Sequence, residues 1–446
     1  MKAEKREKGS PFRKIRVGMV VHAYYEKDAR VRRYAESLAK LGHYVEVVAL
    51  RAKGLPKHEI IEGVHLVRAP LDRKRGGTLR YIFEYFVFLL LSFWHLAKQT
   101  FRKRFDVVHV HNMPDFLVFS ALVPKIFGSK VVLDVHDLMP EVYASKFHCS
   151  LNHPMIIPLR IQEIASHLFA DRVIFATSIF QHLAVARGTC EKKDSLVVLN
   201  APDTDLFDEC KHPWKGPENP QEFRLLYLGT VSDRHGPDQL IRVLAKAKDR
   251  IPGIRLVLHP KLADGEGEPL AALERLAREL GVEDRLDIRP SIDLREVPKV
   301  MSRSSVGTFT PHMDVHIDIA LSLKVPEYVA MGLPIVTVNT KIMRTLFQEG
   351  EVLYFEDGDI ETFANHLVFL YEHPAEGQAM ARRAKRFLNE HSWDQEFANY
   401  RLALESLCGC SLLQQPADSK GPSPSEEHSR TLQTSSQTKA EKASSR

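Results

Sequence analysis

The sequence is short of cysteine, of long apolar runs and of excess charge, and each shortage excludes a class of protein. Its five cysteines are scattered, odd in number and form no Cys-x2-Cys pair, which argues against a disulfide framework and a zinc site. No apolar signal-peptide core follows the basic first residues, so we expect a cytoplasmic protein. A net charge of +5 is slight for 446 residues, so we expect no nucleic acid among its partners.

The first predicted strand-to-helix turn also lacks the Gly-x-Gly-x-x-Gly pattern. His-Ala-Tyr-Tyr-Glu-Lys-Asp stands there at 22–28, which argues against an NAD-type dinucleotide site. What the region does have is alternation, with a predicted strand at 15–22, a helix at 29–41 and a second strand at 44–50. Short connections between alternating strands and helices are typical of parallel sheets, and the alternation resumes near residue 223. We therefore predict an α/β fold with two Rossmann-like parallel-sheet domains facing across a cleft.

Changes in composition along the chain predict where its parts begin and end. The chain is long enough for two globular domains, and 44% of its residues are hydrophobic. Its start is rich in lysine, and its end is rich in Ser, Gln, Pro and Lys, which is typical of unfolded segments. The predicted parts are a flexible basic leader at 1–12, a first domain at 13–205, a second domain at 206–390, a helical segment at 391–410 and a disordered tail at 411–446.

The most apolar segment is 81–97, which is shorter than the roughly 20 residues that a membrane-spanning helix needs. It is interrupted by Glu84 and His95, and the basic residues of 98–104 follow at once. Two interpretations stay open. The helix touches a membrane as a peripheral element, or it is a core helix with Phe88 and its neighbours buried against the first sheet.

The stretch 322–338 predicts a short helix followed by a buried strand. Pro326 suits the first helical position, and Gly332 suits the left-handed residue that ends a helix. The helix start offers free amide groups, to which Lys324 adds a full charge, and Glu327 can accept hydrogen bonds from a ribose diol. We therefore predict a site for a nucleotide diphosphate. The alternative is an ordinary helix-turn-strand with a surface lysine and glutamate.

This stretch, Lys-x-x-Glu-Tyr-x-Ala-x-Gly-x-Pro-Ile-Val, resembles the donor-binding segment of glycosyltransferase family 4, the retaining enzymes with the GT-B fold. Many relatives carry a Glu-x7-Glu motif; Ile319 replaces its first Glu here, which matches a Lys-x-x-Glu-Tyr subgroup. The resemblance extends over 15–407 and implies that the segment at 391–410 crosses back to the first domain. It also implies a hexosyl transfer from a UDP- or GDP-sugar to a saccharide or lipid-linked acceptor, without a metal or other cofactor. Surface polysaccharide or lipid-linked glycan synthesis would be the setting.

A second segment, 228–236, resembles the phosphate loop of the same family's second domain. Gly229 lets the backbone approach a diphosphate, and the planar guanidinium of Arg234 can grip its oxygens. His235 stands where relatives often have Lys or Arg. By this resemblance Arg234 and Lys324 stabilise charge on the leaving diphosphate. The alternative for the segment is a glycine turn with exposed charge.

Polar residues follow the strands of the first domain at the edge where a ligand would bind. His111 closes one predicted strand, and His136 and Asp137 close the next; the carboxyl ends of parallel strands face the ligand crevice. The resemblance implies that His136 touches the donor sugar near the bond that breaks. It implies that Asp137 and Glu141 orient this sugar or meet the acceptor. Arg30, at the start of the first helix, either reaches an acceptor or phosphate or belongs to a solvated helix start.

We expect no metal site. His109 and His111 lie on one predicted strand, and we expect them to point to opposite faces, so that one ion could not use both. The Asp-x-Asp string at 203–205 reads as a turn between the domains. Two other functions stay open besides glycosyl transfer. They are a nucleotide-sugar epimerase of the same architecture and a non-catalytic nucleotide-sugar-binding scaffold.

Overall fold

The computed structural model describes residues 11–71, 78–261 and 267–414. Residues 14–408 form one compact unit. In the other unit, the described residues are joined by a parallel bridge between Phe12 and Ser411. Most of the predicted leader at 1–12 and tail at 411–446 therefore lies outside the described residues.

Strands and helices alternate along most of the chain. The strands are β1 (Arg16–Val21), β2 (Tyr44–Leu50), β3 (His58–Ile61), β4 (Val64–Ala69), β5 (Val107–His111), β6 (Lys130–Val135), β7 (Arg172–Phe175), β8 (Ser195–Val197), β9 (Phe223–Thr230), β10 (Ile254–Lys261), β11 (Leu286–Ile288), β12 (Val306–Phe309), β13 (Ile335–Val338) and β14 (Leu353–Phe355). The helices are α1 (Ala29–Lys40), α2 (Thr78–Lys103), α3 (Leu122–Ile126), α4 (Met139–Lys146), α5 (Ile156–Phe169), α6 (Ser178–Ala186), α7 (Pro237–Ala247), α8 (Gly267–Glu279), α9 (Val297–Met301), α10 (Lys324–Ala330), α11 (Lys341–Leu346), α12 (Ile360–Glu372), α13 (Pro374–Ala384), α14 (Arg386–Glu390) and α15 (Trp393–Cys408).

The first sheet has the strand order β3-β4-β2-β1-β5-β6-β7-β8. All of its pairs are parallel except β3 with β4, an antiparallel hairpin that the sequence did not predict. β1 lies between β2 and β5, so the order reverses there, and the carboxyl ends of β1, β5 and β6 meet at one edge. Such a reversal is the usual place for a ligand crevice in an open α/β sheet.

The second sheet is entirely parallel, with the order β11-β10-β9-β12-β13-β14. Its point of reversal lies at β9, which pairs with β10 on one side and β12 on the other. The predicted α/β fold with two parallel-sheet domains is confirmed. The last helix, α15, lies against the first sheet and α1: the Tyr400 hydroxyl is 2.9 Å from His109 Nδ1 of β5, and the Trp393 indole donates to Ser37 Oγ of α1 at 3.0 Å.

The stretch that carries the nucleotide prediction folds as a helix and a strand, with one correction. α10 begins at Lys324, so Pro326 is the third helical residue and not the first. A proline is tolerated at this position because the first turn's N–H groups have no partner within the helix. Gly332 ends the helix with φ +66°, in the left-handed region, and β13 follows.

Candidate active site

A buried carboxylate organises the edge of the first sheet. Asp134, in β6, accepts two hydrogen bonds from Arg30 of α1, from Nε to Oδ2 at 2.9 Å and from Nη2 to Oδ1 at 2.8 Å. His111 Nδ1 and His136 Nε2 each lie 3.1 Å from Asp134 Oδ2. Three cationic or protonatable groups therefore converge on one carboxylate, which is fully buried.

The pKa values in this cluster follow from burial and from the ion pair. Burial opposes ionisation of Asp134, but Arg30 and the two histidines outweigh it and hold the pKa of Asp134 well below its usual range. Burial likewise opposes charging of His136, but the adjacent Asp134 carboxylate prevails and raises its pKa. For His111 burial prevails and lowers the pKa. His136 is thus the imidazole of the cluster that more readily carries a proton near neutral pH.

Arg30 is not part of a solvated helix start, and that interpretation is wrong. Its side chain is 6% exposed, and besides its two bonds to Asp134 it donates from Nη1 to the Val198 carbonyl and to Asn200 Oδ1, each at 2.8 Å. A guanidinium with so many internal acceptors has little capacity left to grip a ligand. The Arg30 side chain lines a cavity beside the Asp134 cluster and places a fixed positive charge there.

Glu141 is the one predicted residue that the structure does not bring to the cluster or to the cavities below. It is 1% exposed and pairs with Arg187, which also pairs with the buried Glu163 at 3.4 Å. This internal ion pair holds α4, α5 and α6 together. The geometry therefore gives Glu141 a contact inside the domain and none with an acceptor.

The expectation for His109 and His111 is wrong, because residues two apart on a strand point to the same face. Their ring centroids lie 4.1 Å apart. His109, His111 and Asp134 also offer ligand atoms that lie within 4.8 Å of one another, which is close enough for a metal. However, Arg30 already donates a hydrogen bond to each oxygen of the Asp134 carboxylate. A metal ion bound to that carboxylate would lie beside the guanidinium, and the repulsion between the two positive charges disfavours such a site.

The second sheet presents a glycine-bounded turn at its own edge. Gly229, the last residue but one of β9, has φ +124°, and a Cβ added to it would lie 3.5 Å from Lys324 Nζ. Gly236, with φ +59°, precedes α7, and a Cβ there would lie 1.8 Å from the Thr310 carbonyl oxygen. Arg234 and His235 lie between the two glycines in a 3₁₀ turn. At Gly236 only glycine leaves room for the Thr310 carbonyl, whereas at Gly229 the positive φ is what favours glycine.

Lys324 and Glu327 project from the first turn of α10 into an environment that shifts both pKa values. Burial lowers the pKa of Lys324 to about 8, although Glu327 opposes this shift. Burial raises the pKa of Glu327 to about 7, against the opposing charges of Lys324 and Arg33. The Lys324 ammonium lies 4.7 Å from the centroid of the Tyr227 ring. Such strongly perturbed groups in a cleft are candidates for a functional site.

Three cavities share these residues and form one cleft between the two sheets. The first has a volume of about 580 Å³, the second about 260 Å³ and the third about 660 Å³. Asp137 lines the first and second, Lys324 the second and third, and Glu327 the first and third. The first cavity is also lined by His136 and Arg30, and the second by Arg234 and His235. The third is also lined by Gly229. His111 supports His136 from behind, with 3.2 Å between His111 Nδ1 and His136 Nε2.

The loop between β12 and α10 adds two residues that were not predicted. Asp314 Oδ2 accepts a hydrogen bond from Ser145 Oγ of α4 at 2.6 Å and lies 3.2 Å from Arg234 Nε. His316 Nε2 lies 3.4 Å from Asp137 Oδ1. The loop therefore connects the two halves of the cleft. Its position directly after a strand of the second sheet is the sequence signal by which these two residues could have been found.

Ile319, which replaces the first Glu of the family motif, lies in the same loop but away from the cleft. It is buried among the apolar residues of the first domain's core, and its carbonyl accepts from Thr177 Oγ at 3.4 Å. A carboxylate at this position would be buried among apolar side chains, so the departure from the motif has a packing reason.

Comparisons with known proteins agree with this geometry. Residues 28–201 match the family model "Glycosyl transferase 4-like domain", and residues 208–387 match "Glycosyl transferases group 1". The chain is a glycosyltransferase of the family-4 type. The chain is 25% identical to the D-inositol 3-phosphate glycosyltransferase of Mycolicibacterium smegmatis over 308 residues. The aligned region covers 67% of this chain and 68% of that protein. Neither the epimerase nor the scaffold alternative is favoured by these matches.

Solved structures of low sequence identity share the fold. Sucrose-phosphate synthase from Thermosynechococcus elongatus has a TM-score of 0.70 at 18% identity, over 89% of this chain and all of that one. Anabaena Alr3699/HepE in complex with UDP has a TM-score of 0.65 at 14% identity, over 88% of this chain and all of that one. The predicted GT-B fold is confirmed for this glycosyltransferase.

Proposed function

We propose that this glycosyltransferase, a member of the Lys-x-x-Glu-Tyr subgroup, transfers a hexose from a UDP- or GDP-sugar to an acceptor hydroxyl and retains the anomeric configuration. The observation that carries the proposal is the junction of the second and third cavities, where Lys324 lines both. Arg234 and His235 complete a cationic end for a diphosphate, and Glu327 accepts hydrogen bonds from the ribose. That a GT-B neighbour was crystallised with UDP-glucose supports a nucleotide-sugar donor.

In the proposed reaction, the acceptor hydroxyl attacks the anomeric carbon on the face from which the diphosphate leaves. The bond from the anomeric carbon to the diphosphate oxygen breaks, and a phosphate oxygen takes the proton of the hydroxyl. Lys324 and Arg234 stabilise the negative charge that develops on the diphosphate. On the side of the first sheet, His136 contacts the donor sugar, while Asp137, between the first and second cavities, is placed to orient it. The acceptor, a saccharide or a lipid-linked glycan, enters through the first cavity.

The donor is identified by incubating the purified protein with UDP-, GDP- and ADP-sugars and following them by mass spectrometry, with and without candidate acceptors. We expect one nucleoside diphosphate to be released at least tenfold faster with an acceptor, together with a product of retained configuration by NMR. Release of none of the three nucleotides would contradict the proposal.

The proposed transfer reaction requires no metal ion, because Lys324 and Arg234 supply the positive charge at the diphosphate. We expect donor turnover to be unchanged within about twofold in excess EDTA. Loss of turnover in EDTA, with recovery when Mg²⁺ or Mn²⁺ is added after the EDTA is removed, would contradict this part of the mechanism.

Replacing Glu327 with alanine should raise the donor KM by roughly tenfold or more. The loss of hydrogen bonds to a half-buried acceptor group costs about 1–3 kcal/mol. Because burial raises the pKa of Glu327 to about 7, its carboxylate is ionised above that pH, and donor affinity should weaken as the pH falls below it. Steady-state kinetics between pH 6 and 8.5 measures both effects. Glu361→Ala, in the exposed first turn of α12, is the control, and an unchanged KM in Glu327→Ala would contradict the ribose assignment.

We also propose that the first domain rests on an anionic membrane surface. α2 is not a simple core helix: Phe88 is buried and Leu91 half-buried, but the opposite side of the helix exposes large apolar side chains. Its polar interruptions point inward, since Glu84 is buried and His95 Nε2 lies 2.7 Å from Glu46 Oε1. A helix whose outer side carries large apolar side chains is suited to an apolar environment. None of the described helices combines the length and the apolar character needed to cross a bilayer.

The exposed apolar surface continues from α2 onto two neighbouring helices. Phe101 of α2 lies 5.0 Å from Phe127 between ring centroids, and the 3₁₀ helix Asp115–Ala121 packs against both α2 and α5. The exposed apolar side chains of this surface are Ile82, Phe83, Phe86, Leu90, Trp94, Phe101, Ile126, Phe127, Ile157, Ile161, Ile164 and Leu168. The basic cluster 98–104 lies at one end and complements anionic head groups, at about 1 kcal/mol per charge.

Reversing Arg102, Lys103 and Arg104 to glutamate should therefore weaken binding to anionic vesicles. In flotation with phosphatidylglycerol-containing liposomes, we expect the wild-type protein in the lipid fraction at low salt and its release at high salt. Trp94→Gln tests the apolar contact independently of charge. Reversal of Arg242 and Lys246, exposed on α7 of the second domain, is the control. Recovery of the wild-type protein only in the lipid-free fraction at low salt would contradict the membrane proposal.

A further inference from the structure

The side chain of Asn112, just past β5, holds the turn that follows β6. Asn112 is 4% exposed, and its Oδ1 accepts the backbone N–H of His136 at 2.7 Å. Its Nδ2 donates to the backbone carbonyl of Asp137 at 2.7 Å and to Asp115 Oδ1 at 2.8 Å. One carboxamide therefore uses its acceptor and both of its donors.

These bonds fix the orientation of the amide without ambiguity. The His136 N–H can only donate, whereas the Asp137 carbonyl and an ionised Asp115 can only accept. Asp115 is 1% exposed; burial raises its pKa to about 6, although the hydrogen bond from Asn112 opposes this shift. At neutral pH it is therefore mainly ionised and holds Nδ2 towards itself. A flipped amide would face three mismatched partners.

The turn at His136 and Asp137 has no strand ladder of its own to hold it, because β6 ends at Val135. Asn112 binds an N–H and a carbonyl of this turn, while Asp134 binds the His136 imidazole separately. Backbone and side chain are thus held by two different residues. The turn carries His136, which lines the first cavity, and Asp137, which lines the first cavity and also the second, together with Arg234.

We propose that Asn112 is a positioning residue for glycosyl transfer, which sets the His136–Asp137 turn against the donor sugar, and that Asp115 sets the orientation of the Asn112 amide. This proposal rests on the proposed function, in which that turn faces the donor. A misplacement of about 1 Å in a reacting geometry can cost on the order of 100-fold in rate. The contribution should therefore appear in kcat more than in donor KM.

The test compares Asn112→Asp, Asp115→Asn and the exchange variant that combines them. Asn112→Asp keeps the acceptor for His136 but places carboxylate oxygens against the Asp115 carboxylate and the Asp137 carbonyl. We expect kcat to fall about 100-fold, with donor KM within about threefold. The exchange variant restores a donor opposite residue 112 and should regain about tenfold, whereas Asp115→Asn alone keeps an acceptor and should stay within about threefold. An exchange variant no better than Asn112→Asp, with both folded by circular dichroism, would overturn the proposal.

Amide hydrogen exchange tests the positioning without any substrate. In Asn112→Ala the His136 amide loses its acceptor, and we expect its exchange to accelerate at least tenfold while the amides of β6 remain slow. Unchanged protection of His136 in the folded variant would overturn the proposal. If the wild-type protein turns over none of the nucleotide sugars, the proposed function fails by itself, and this exchange measurement still decides whether Asn112 holds the turn.

Discussion

Replacing Lys324 with alanine is expected to lower kcat for donor turnover by about 100-fold or more, with a smaller change in donor KM. Removal of one preorganised group that stabilises transition-state charge typically costs this much. Lys324 is the first residue of α10 and lines two of the three cavities. In the proposed reaction its ammonium stabilises the charge that develops on the leaving diphosphate. Interactions that strengthen in the transition state affect kcat, and those made equally in the ground state affect KM alone.

The stability of the same variant separates function from folding. Burial lowers the pKa of Lys324 to about 8, so the unfolded chain binds this proton more tightly than the folded one. Stability therefore rises with pH between about 8 and 10.4 in the wild type, and removing the charge should raise the Tm at neutral pH. Lys246→Ala, on an exposed part of α7, is the control for activity. A Lys324→Ala protein with a wild-type kcat and only a raised KM would contradict the leaving-group role.

Replacing Asp134 with asparagine is expected to cost about 3–5 kcal/mol of the free energy of unfolding. Removing one partner of a buried ion pair leaves the other charge uncompensated, and Arg30 cannot lose its proton to escape this cost. The wild-type pKa of Asp134 is held well below its usual range by Arg30 and the histidines despite burial. The stabilisation that the ionised Asp134 carboxylate gives the folded state is therefore fully present above about pH 4 and is lost as the pH falls further.

Urea denaturation at pH 7 measures this loss, and an exposed ion pair provides the control. Lys193 and Glu191 lie 2.8 Å apart with side chains 72% and 69% exposed, so solvent screens the pair and Glu191→Gln should leave the stability essentially unchanged. A loss below about 1 kcal/mol for Asp134→Asn would show that Arg30 finds another partner or water. The organisation of the first-sheet edge around this carboxylate would then have to be abandoned.

Local patterns predicted the elements that are buried on both sides. β2 has the bounds predicted for it, and β13 follows α10 as expected, because apolar runs of this length suit only a buried parallel strand. The hairpin of β3 and β4 was missed because β3 is an exposed edge strand with little apolar signal. Residues 115–126 form a 3₁₀ segment followed by α3 instead of one continuous α-helix. Pro124 explains this, since it lacks the N–H that the carbonyl four residues earlier would need.

Site residues can be grouped from the sequence where one segment carries the whole pattern, and they cannot where the partner is distant in sequence. Lys324 and Glu327 share one helical turn, and Arg234 lies in a turn bounded by two glycines, so their common cleft could be anticipated. The ion pair between Arg30 and Asp134 spans 104 positions and could not be. The expectation that His109 and His111 point to opposite faces was wrong for a different reason. Faces alternate between neighbouring residues of a strand, so residues two apart share a face.

The proposed reaction depends most on the loop at Arg234 and the start of α10, which we propose bind a nucleoside diphosphate together, with its ribose on Glu327. Calorimetric titration of UDP, GDP and ADP into the wild-type protein and into Lys324→Ala and Glu327→Ala tests it most directly. We expect one of the three nucleotides to bind the wild type, and each substitution to weaken that binding by roughly tenfold or more, equivalent to about 1.4 kcal/mol. Binding of none of them, or equal binding to all three proteins, would contradict it.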